Sequence, residues 1–161
     1  MPDTHLAQLN IGRFRFPTDD PRMSEFMDNL DRVNALADRS PGFVWRMQDD
    51  SGNATAIPVT PDPMMAANLS VWTDVASLEH FVWNTAHRRF YRRRADWFGL
   101  MDSMHFVMWR VATGDQPSLA EAMERLEHLN RHGSTDHAFG WDHLPEAKLW
   151  RAQHCAGIAA E

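Results

Sequence analysis

Twice along this chain, a stretch whose polar and apolar residues alternate runs across a short turn into one whose apolar residues recur every three or four positions. The first pair is residues 5–16 followed by 22–39; the second is residues 65–72 followed by 75–98. A period of two marks a half-buried strand and a period near 3.6 an amphipathic helix, so each pair reads as a β–α unit. Two short strand-like runs, Phe43-Val-Trp-Arg-Met47 and Phe106-Val-Met-Trp-Arg-Val111, complete the order βαββαβ. That order is the ferredoxin-like split βαβ arrangement, an antiparallel sheet with helices on one face, and the fold class is α+β.

In the first strand Leu9, Ile11 and Arg13 share one face and Gln8, Asn10 and Gly12 the other. Met23, Phe26, Met27, Leu30, Val33, Leu36 and Ala37 then fall at helical spacing. Residues 54–59 are expected to pair briefly before Pro61-Asp-Pro63 interrupts. Thr73 or Asp74 caps a helix from Val75 to about Thr85, and a second helix carries His87 to Phe98. Ser118 caps the helix from Leu119 to Arg131, with Glu121 at the capping-box position and Gly133 as its stop. Residues 1–133 are read as one domain. Residues 134–161 carry Phe139, Trp141, Leu144 and Trp150 without periodicity, and read as an extension packing on it. The helices of the repeat cover one sheet face, and a homodimer whose two sheets pack face to face is expected to cover the other.

Composition excludes several classes of function. The chain has 161 residues, 43% of them hydrophobic, which suits one domain with a real core. A net charge of −6 and a pI near 5.8 argue against nucleic acid or an anionic membrane as partner, because phosphate affinity needs an excess of cations. The lone Cys155 excludes an internal disulfide and a cysteine metal cage. With no basic–apolar leader and no apolar run of membrane-spanning length, a cytoplasmic protein is expected.

The candidate chemistry is concentrated between Asn68 and Arg94. Asn68, Ser70 and Trp72 share a face by alternation, with Leu69 and Val71 on the other. Polar groups there must be bonded to something, since an unpaired buried one costs about 1–3 kcal/mol. A network within the sheet and a ligand both satisfy that need, and Asn10 has the same two readings. On the helical stretch, Trp83, His87, Phe90, Arg94 and Trp97 or Phe98 fall on one side. A histidine on such a stripe is either a core residue or a proton carrier facing a pocket. Arg88, Arg89 and Arg92 to Arg94 read as a solvated face or as an anion clamp at a pocket mouth. His128 and His132 sit one turn apart with His137, His143 and His154 downstream, but no His-Glu-x-x-His pattern accompanies them, and no metal is expected. Nothing resembles a phosphate loop or a nucleophile elbow, so flavin and nicotinamide chemistry lack support.

Asn68-Leu-Ser-Val-Trp72, Ser77-Leu-Glu-His-Phe81, Ala86-His87-Arg88 and Ser40-Pro-Gly-Phe-Val-Trp-Arg46 together resemble the dimeric α/β-barrel superfamily. Within it the likeness is to a bacterial family of unknown function related to antibiotic-biosynthesis monooxygenases, over roughly residues 6–133. In cofactor-independent monooxygenases of this kind, an asparagine and a tryptophan four residues apart bind a polycyclic phenol that is deprotonated and reacts with dioxygen. Asn68 and Trp72 are similar in type and spacing. In the haem-degrading branch a first-strand asparagine, a helix tryptophan and an iron-ligating helix histidine form the site. Asn10, Trp83 and His87 resemble these, with the tryptophan nearer the histidine than in that pattern. The resemblance implies a small homodimeric enzyme that oxidises a hydrophobic aromatic metabolite without a cofactor. Catalysis would fall to His87, Asn68 and Trp72, and substrate binding to Asn10, Ser70, Trp83, Arg94 and Trp97. A haem protein with His87 as axial ligand and a non-catalytic small-ligand-binding domain are the alternatives.

Overall fold

Alternation in β1 (Thr4–Arg13) and β3 (Met65–Trp72) makes these the two central strands of a four-stranded antiparallel sheet. The computed structural model describes residues 4–50, 52–54, 57–85, 87–99 and 105–155, with the side chains of 153–155, Cys155 among them, outside the description. The sheet order is β2-β3-β1-β4, with β2 at Phe43–Arg46 and β4 at Phe106–Ala112. With α1 (Ser24–Arg39) following β1 and α2 (Val75–Asn84) following β3, this is the ferredoxin-like topology that the order of periodicities implies. No strand forms among the described residues of 54–59.

Both helices of the repeat lie on one sheet face, here the helix face. Leu6, Trp72 and Met108 of the sheet pack there with Ala37 of α1 and Val75, Leu78 and Phe81 of α2. The opposite face, expected to be covered by a second copy, is covered in part by the chain itself. Ala122, Leu126 and Leu129 of α5 (Leu119–His132) close over Ala7, Leu9, Leu69, Val71, Val107 and Trp109, lying along β4 and β1. Toward β2 and β3 that face carries half-buried Trp45, Met47, Val59 and Met65.

The caps behave as expected, with one revision. Asp74 accepts from the Ser77 amide at 2.8 Å, and Ser118 from the Glu121 amide at 3.1 Å. Glu121 does not reach back to complete a capping box; its carboxylate pairs forward with Arg125 at 2.9 Å. Gly133, at φ 74°, ends α5.

After α2 the expected second helix is broken. Thr85 is extended, at φ −124° and ψ −177°, and its hydroxyl donates to the Phe81 carbonyl; α3 then covers only His87–Arg92 and α4 only Arg94–Trp97. The i, i+4 stripe from Trp83 to Trp97 therefore does not exist as one helical face.

Backbone hydrogen bonds help to tie the extension down. Phe139 exchanges two backbone hydrogen bonds with Met108 at the outer edge of β4. Further on, α6 (Lys148–Cys155) starts against buried Glu79 of α2, whose carboxylate accepts from the Trp150 amide at 2.8 Å. A helix start exposes unpaired N–H groups and positive potential, so a carboxylate from another helix satisfies both. No helix among the described residues is long and apolar enough to cross a membrane.

Candidate functional site

Read along the helix face, the two central strands change character twice. At one end Leu6 pairs with Trp72 inside an apolar cluster that also holds Phe81, Phe139 and Trp141. At the other end Phe14, Met23, Phe26, Ala66, Trp97 and Phe98 form a second apolar cluster. Phe98 lies so close over Gly12 that a Cβ there would sit 2.6 Å from its ring, so the position needs glycine. Between the clusters the sheet is polar: Gln8 pairs with Ser70 in register, and Asn10 with Asn68.

This polar waist is internally bonded. The Gln8 amide donates to Asn68 Oδ1 at 2.9 Å and to Ser70 Oγ at 2.7 Å, and the Trp72 indole donates to the same Ser70 Oγ at 2.9 Å. Gln8 and Ser70 are each only 6% exposed, whereas Asn68 is exposed and Asn10 half-buried. Solvent thus reaches the sheet between two buried clusters.

The structure brings together Asn68, Ser70, Trp72 and Asn10 of the sequence-selected residues, and separates the rest. Trp72 is buried between Phe43 (ring centroids 5.4 Å apart) and Phe81 (5.2 Å), with its N–H taken by Ser70. His87, half-buried, packs against Phe81, centroids 4.8 Å apart. Its Nδ1 is 3.3 Å from the Val82 carbonyl, which can only accept, so Nδ1 carries the hydrogen and Nε2 the lone pair. Burial pushes the His87 pKa down, against a smaller upward pull from that carbonyl, and the ring is neutral at pH 7.

Trp83 is buried beside Tyr91, centroids 5.1 Å apart, and its indole N–H has no partner among the described residues. Trp97 belongs to the second apolar cluster, against Phe26 and Phe90. Arg94 turns back on its own helix start, donating to the Tyr91 carbonyl at 2.8 Å with its guanidinium 4.1 Å from that ring. Arg93 pairs with Glu25 and Asp96. The arginine run is therefore tied at least in part to local partners, as in the solvated reading.

Gln8 is the residue that sequence reasoning missed. Alternation gave its face, but its importance comes from standing opposite Ser70, and cross-strand register is not readable from one strand.

The trio expected for haem is not assembled by ring contacts: His87 and Trp83, expected to flank one ligand, lie against different partners, Phe81 and Tyr91. Ala86 of the resembling motif lies outside the described residues.

Elsewhere, the His128 ring lies 4.5 Å from that of His132 and 4.6 Å from that of His137, and His137 is bonded to Glu124 at 2.8 Å. No group of three or more such side chains among the described residues is arranged to hold a metal ion. A cleft of about 270 Å³ in the extension is lined by Arg110, Asp136, Phe139, His143, Leu144 and Glu146 together with Pro145, and it holds none of the strand or helix candidates.

The topology, with a polar waist on its helix-covered face, defines a ferredoxin-like α+β domain. The chain belongs to the family described as domain of unknown function DUF3291, whose model matches residues 5–155. No curated protein matches the sequence.

Among solved structures the chain is similar to PA3566 from Pseudomonas aeruginosa, at 16% identity and a TM-score of 0.45, over 71% of this chain and 99% of that one. It is also similar to NE2512, a protein of unknown function from Nitrosomonas europaea, at 12% identity and a TM-score of 0.44, over 73% and 97%. A third, from the same organism, is provisionally named an antibiotic biosynthesis monooxygenase, at 14% identity and a TM-score of 0.42, over 71% and 92%. Likeness of this degree carries neither a substrate nor a site residue to this chain.

Proposed function

We propose that the polar waist holds a hydrophobic aromatic metabolite and that the chain is a small homodimeric enzyme oxidising it in the manner of a cofactor-independent monooxygenase. The observation that carries this reading is the exposed Asn68 beside buried Gln8 and Ser70, between two apolar clusters on a helix-covered face. Concave apolar walls with a few fixed polar groups are what a small aromatic ligand needs. Asn68 and Asn10 would bond the substrate oxygen, and the apolar clusters would flank its rings. The reaction balances as phenol plus dioxygen to quinone plus water, all four electrons coming from the substrate. His87, neutral with its Nε2 lone pair available, is the base assigned to the phenol proton.

Dimerisation would cover the β2–β3 half of the other face, where Trp45, Met47, Val59 and Met65 are half-buried. A solution mass twice the chain's 18.5 kDa is expected, and a monomer mass would remove this part of the proposal.

A second reading, ligand binding without turnover, is favoured by one observation: the ring contacts of His87 lead to the waist through Phe81 and Trp72, and among the described residues His87 has no hydrogen bond to a waist residue. Oxygen uptake with a panel of two- and three-ring phenols separates the two. Uptake that is lost in both His87→Ala and Asn68→Ala is expected of the enzyme; binding without uptake would leave only the ligand-binding domain. Added haemin is expected to give no Soret shift that depends on His87, and such a shift would reinstate haem.

A further inference from the structure

The hydrogen bonds of the waist run in one direction. Trp72 Nε1 can only donate, and it donates to Ser70 Oγ at 2.9 Å. The Asn68 backbone carbonyl can only accept, and the Gln8 side-chain nitrogen faces it at 3.4 Å. These two groups cannot exchange roles, so they orient the hydroxyl and the two amides between them. Turning the Gln8 amide over would set Oε1 against that carbonyl oxygen. With the nitrogen there instead, its two hydrogens serve Asn68 Oδ1 at 2.9 Å and Ser70 Oγ at 2.7 Å.

Two consequences follow for what the waist can still offer. Ser70 Oγ already accepts from Gln8 and from Trp72, so both lone pairs are used and only its hydroxyl hydrogen is left. That hydrogen has no acceptor among the described residues, on a side chain that is 6% exposed. Asn68, with Oδ1 held by Gln8, is left with its Nδ2 hydrogens, which also lack an acceptor there. Two acceptors stand outside these bonds: Gln8 Oε1, turned away from both oxygens by the planarity of the amide, and the side-chain oxygen of half-buried Asn10.

We infer that Gln8 makes the Asn68–Ser70 edge of the waist a hydrogen-donating surface, selective for a ligand whose reacting end is an oxygen without a hydrogen of its own: an aryl ketone, a quinone or a phenolate. Gln8 is a positioning residue, buried and acting through Asn68 and Ser70, which would touch the ligand. The inference rests on the waist being the ligand site. It names the chemistry of that ligand and adds a residue to its recognition.

Fluorenone and fluorene share one three-ring skeleton and differ at the carbonyl oxygen, so equilibrium dialysis of the full chain against each isolates the effect of an acceptor. One or two added hydrogen bonds predict about ten-fold tighter binding of fluorenone. Asn68→Asp keeps the oxygen that Gln8 holds and replaces the outward NH2 by a carboxylate oxygen. It is expected to abolish the preference for fluorenone over fluorene. Gln8→Glu, which can only accept from its neighbours, is expected to abolish the preference too. If that buried variant fails to fold, the exposed Asn68→Asp still decides.

The carbonyl stretch of bound fluorenone provides a second readout that a merely structural role for Gln8 would not move. It should fall to lower frequency in the wild type and not in Asn68→Asp. Equal affinity for both compounds, or an unchanged preference in Asn68→Asp, overturns the donor polarity and leaves the site standing. Binding of neither removes the site as well.

Discussion

The two faces of one sheet have been put to different uses. Toward α5, every buried residue of the central strands is apolar, from Ala7, Leu9 and Ile11 to Ala67, Leu69 and Val71, with His5 and Arg13 only at the ends of β1, and Trp109 fills the centre with no exposed surface. Toward α1 and α2, the same strands present Leu6, then Gln8 and Asn10, then Gly12, with Trp72, Ser70, Asn68 and Ala66 opposite. Because strand side chains alternate strictly, one backbone carries both patterns without conflict. A face that only has to hold the fold together can be apolar throughout. A face interrupted by bonded polar groups gives up hydrophobic stabilisation there, and that loss marks the place where another requirement is being met.

The sharpest way to break this contrast is to truncate the apolar face at its centre. Trp109→Ala should destabilise by about 3–5 kcal/mol in chemical unfolding, since it removes a fully buried indole that Arg125 covers from α5 and leaves a cavity. A loss under about 1 kcal/mol would mean that the α5 face is not the stabilising one.

The polar face should respond unevenly within three residues. Ser70→Ala leaves the buried Trp72 Nε1 hydrogen and one Gln8 Nε2 hydrogen without their acceptor, and should cost about 1–3 kcal/mol. Asn68→Ala removes an exposed side chain and frees one Gln8 Nε2 hydrogen, which has the Asn68 backbone carbonyl 3.4 Å away, so it should cost less, about 0.5–1 kcal/mol, while ligand binding is lost. Equal costs at the two positions would make the waist a structural network and nothing more.

The order of elements and their faces was legible in the sequence because periodicity is a local property. Met65–Trp72 and its partition into Asn68, Ser70, Trp72 against Leu69, Val71 need only alternation, and the caps at Asp74 and Ser118 need only their own turns. What was not legible depends on contacts between distant residues. The break at Thr85 undid the stripe from Trp83 to Trp97, sending the rings of His87 and Trp83 to different neighbours. The α6 helix has little periodicity and starts on Glu79, some seventy residues earlier in the chain. Gln8 gains its role only through register with Ser70. The candidate site was thus half visible: its strand residues were found, while its helix residues were placed by a helix that does not continue.

The smallest expected effect is one of pH, and it compares a histidine on each side of the sheet. On the helix side, burial lowers the His87 pKa below its ordinary value of 6.5. On the α5 side, His128 is lowered by desolvation first and then by the neighbouring His132 and His137 and by Arg125, with Glu124 pulling the other way. In both cases the unfolded chain binds a proton that the folded chain resists. Their stabilising contribution is therefore complete above about pH 6.5 and is lost as the pH falls through the lower folded values. The urea midpoint should drop between pH 7.5 and 5.5, and the drop should shrink in His87→Gln and in His128→Gln separately. The side whose variant removes more of the pH dependence is the one that resists its proton more strongly. Should both variants keep the full wild-type dependence, neither buried imidazole controls acid stability, and the exposed histidines or the carboxylates must supply it.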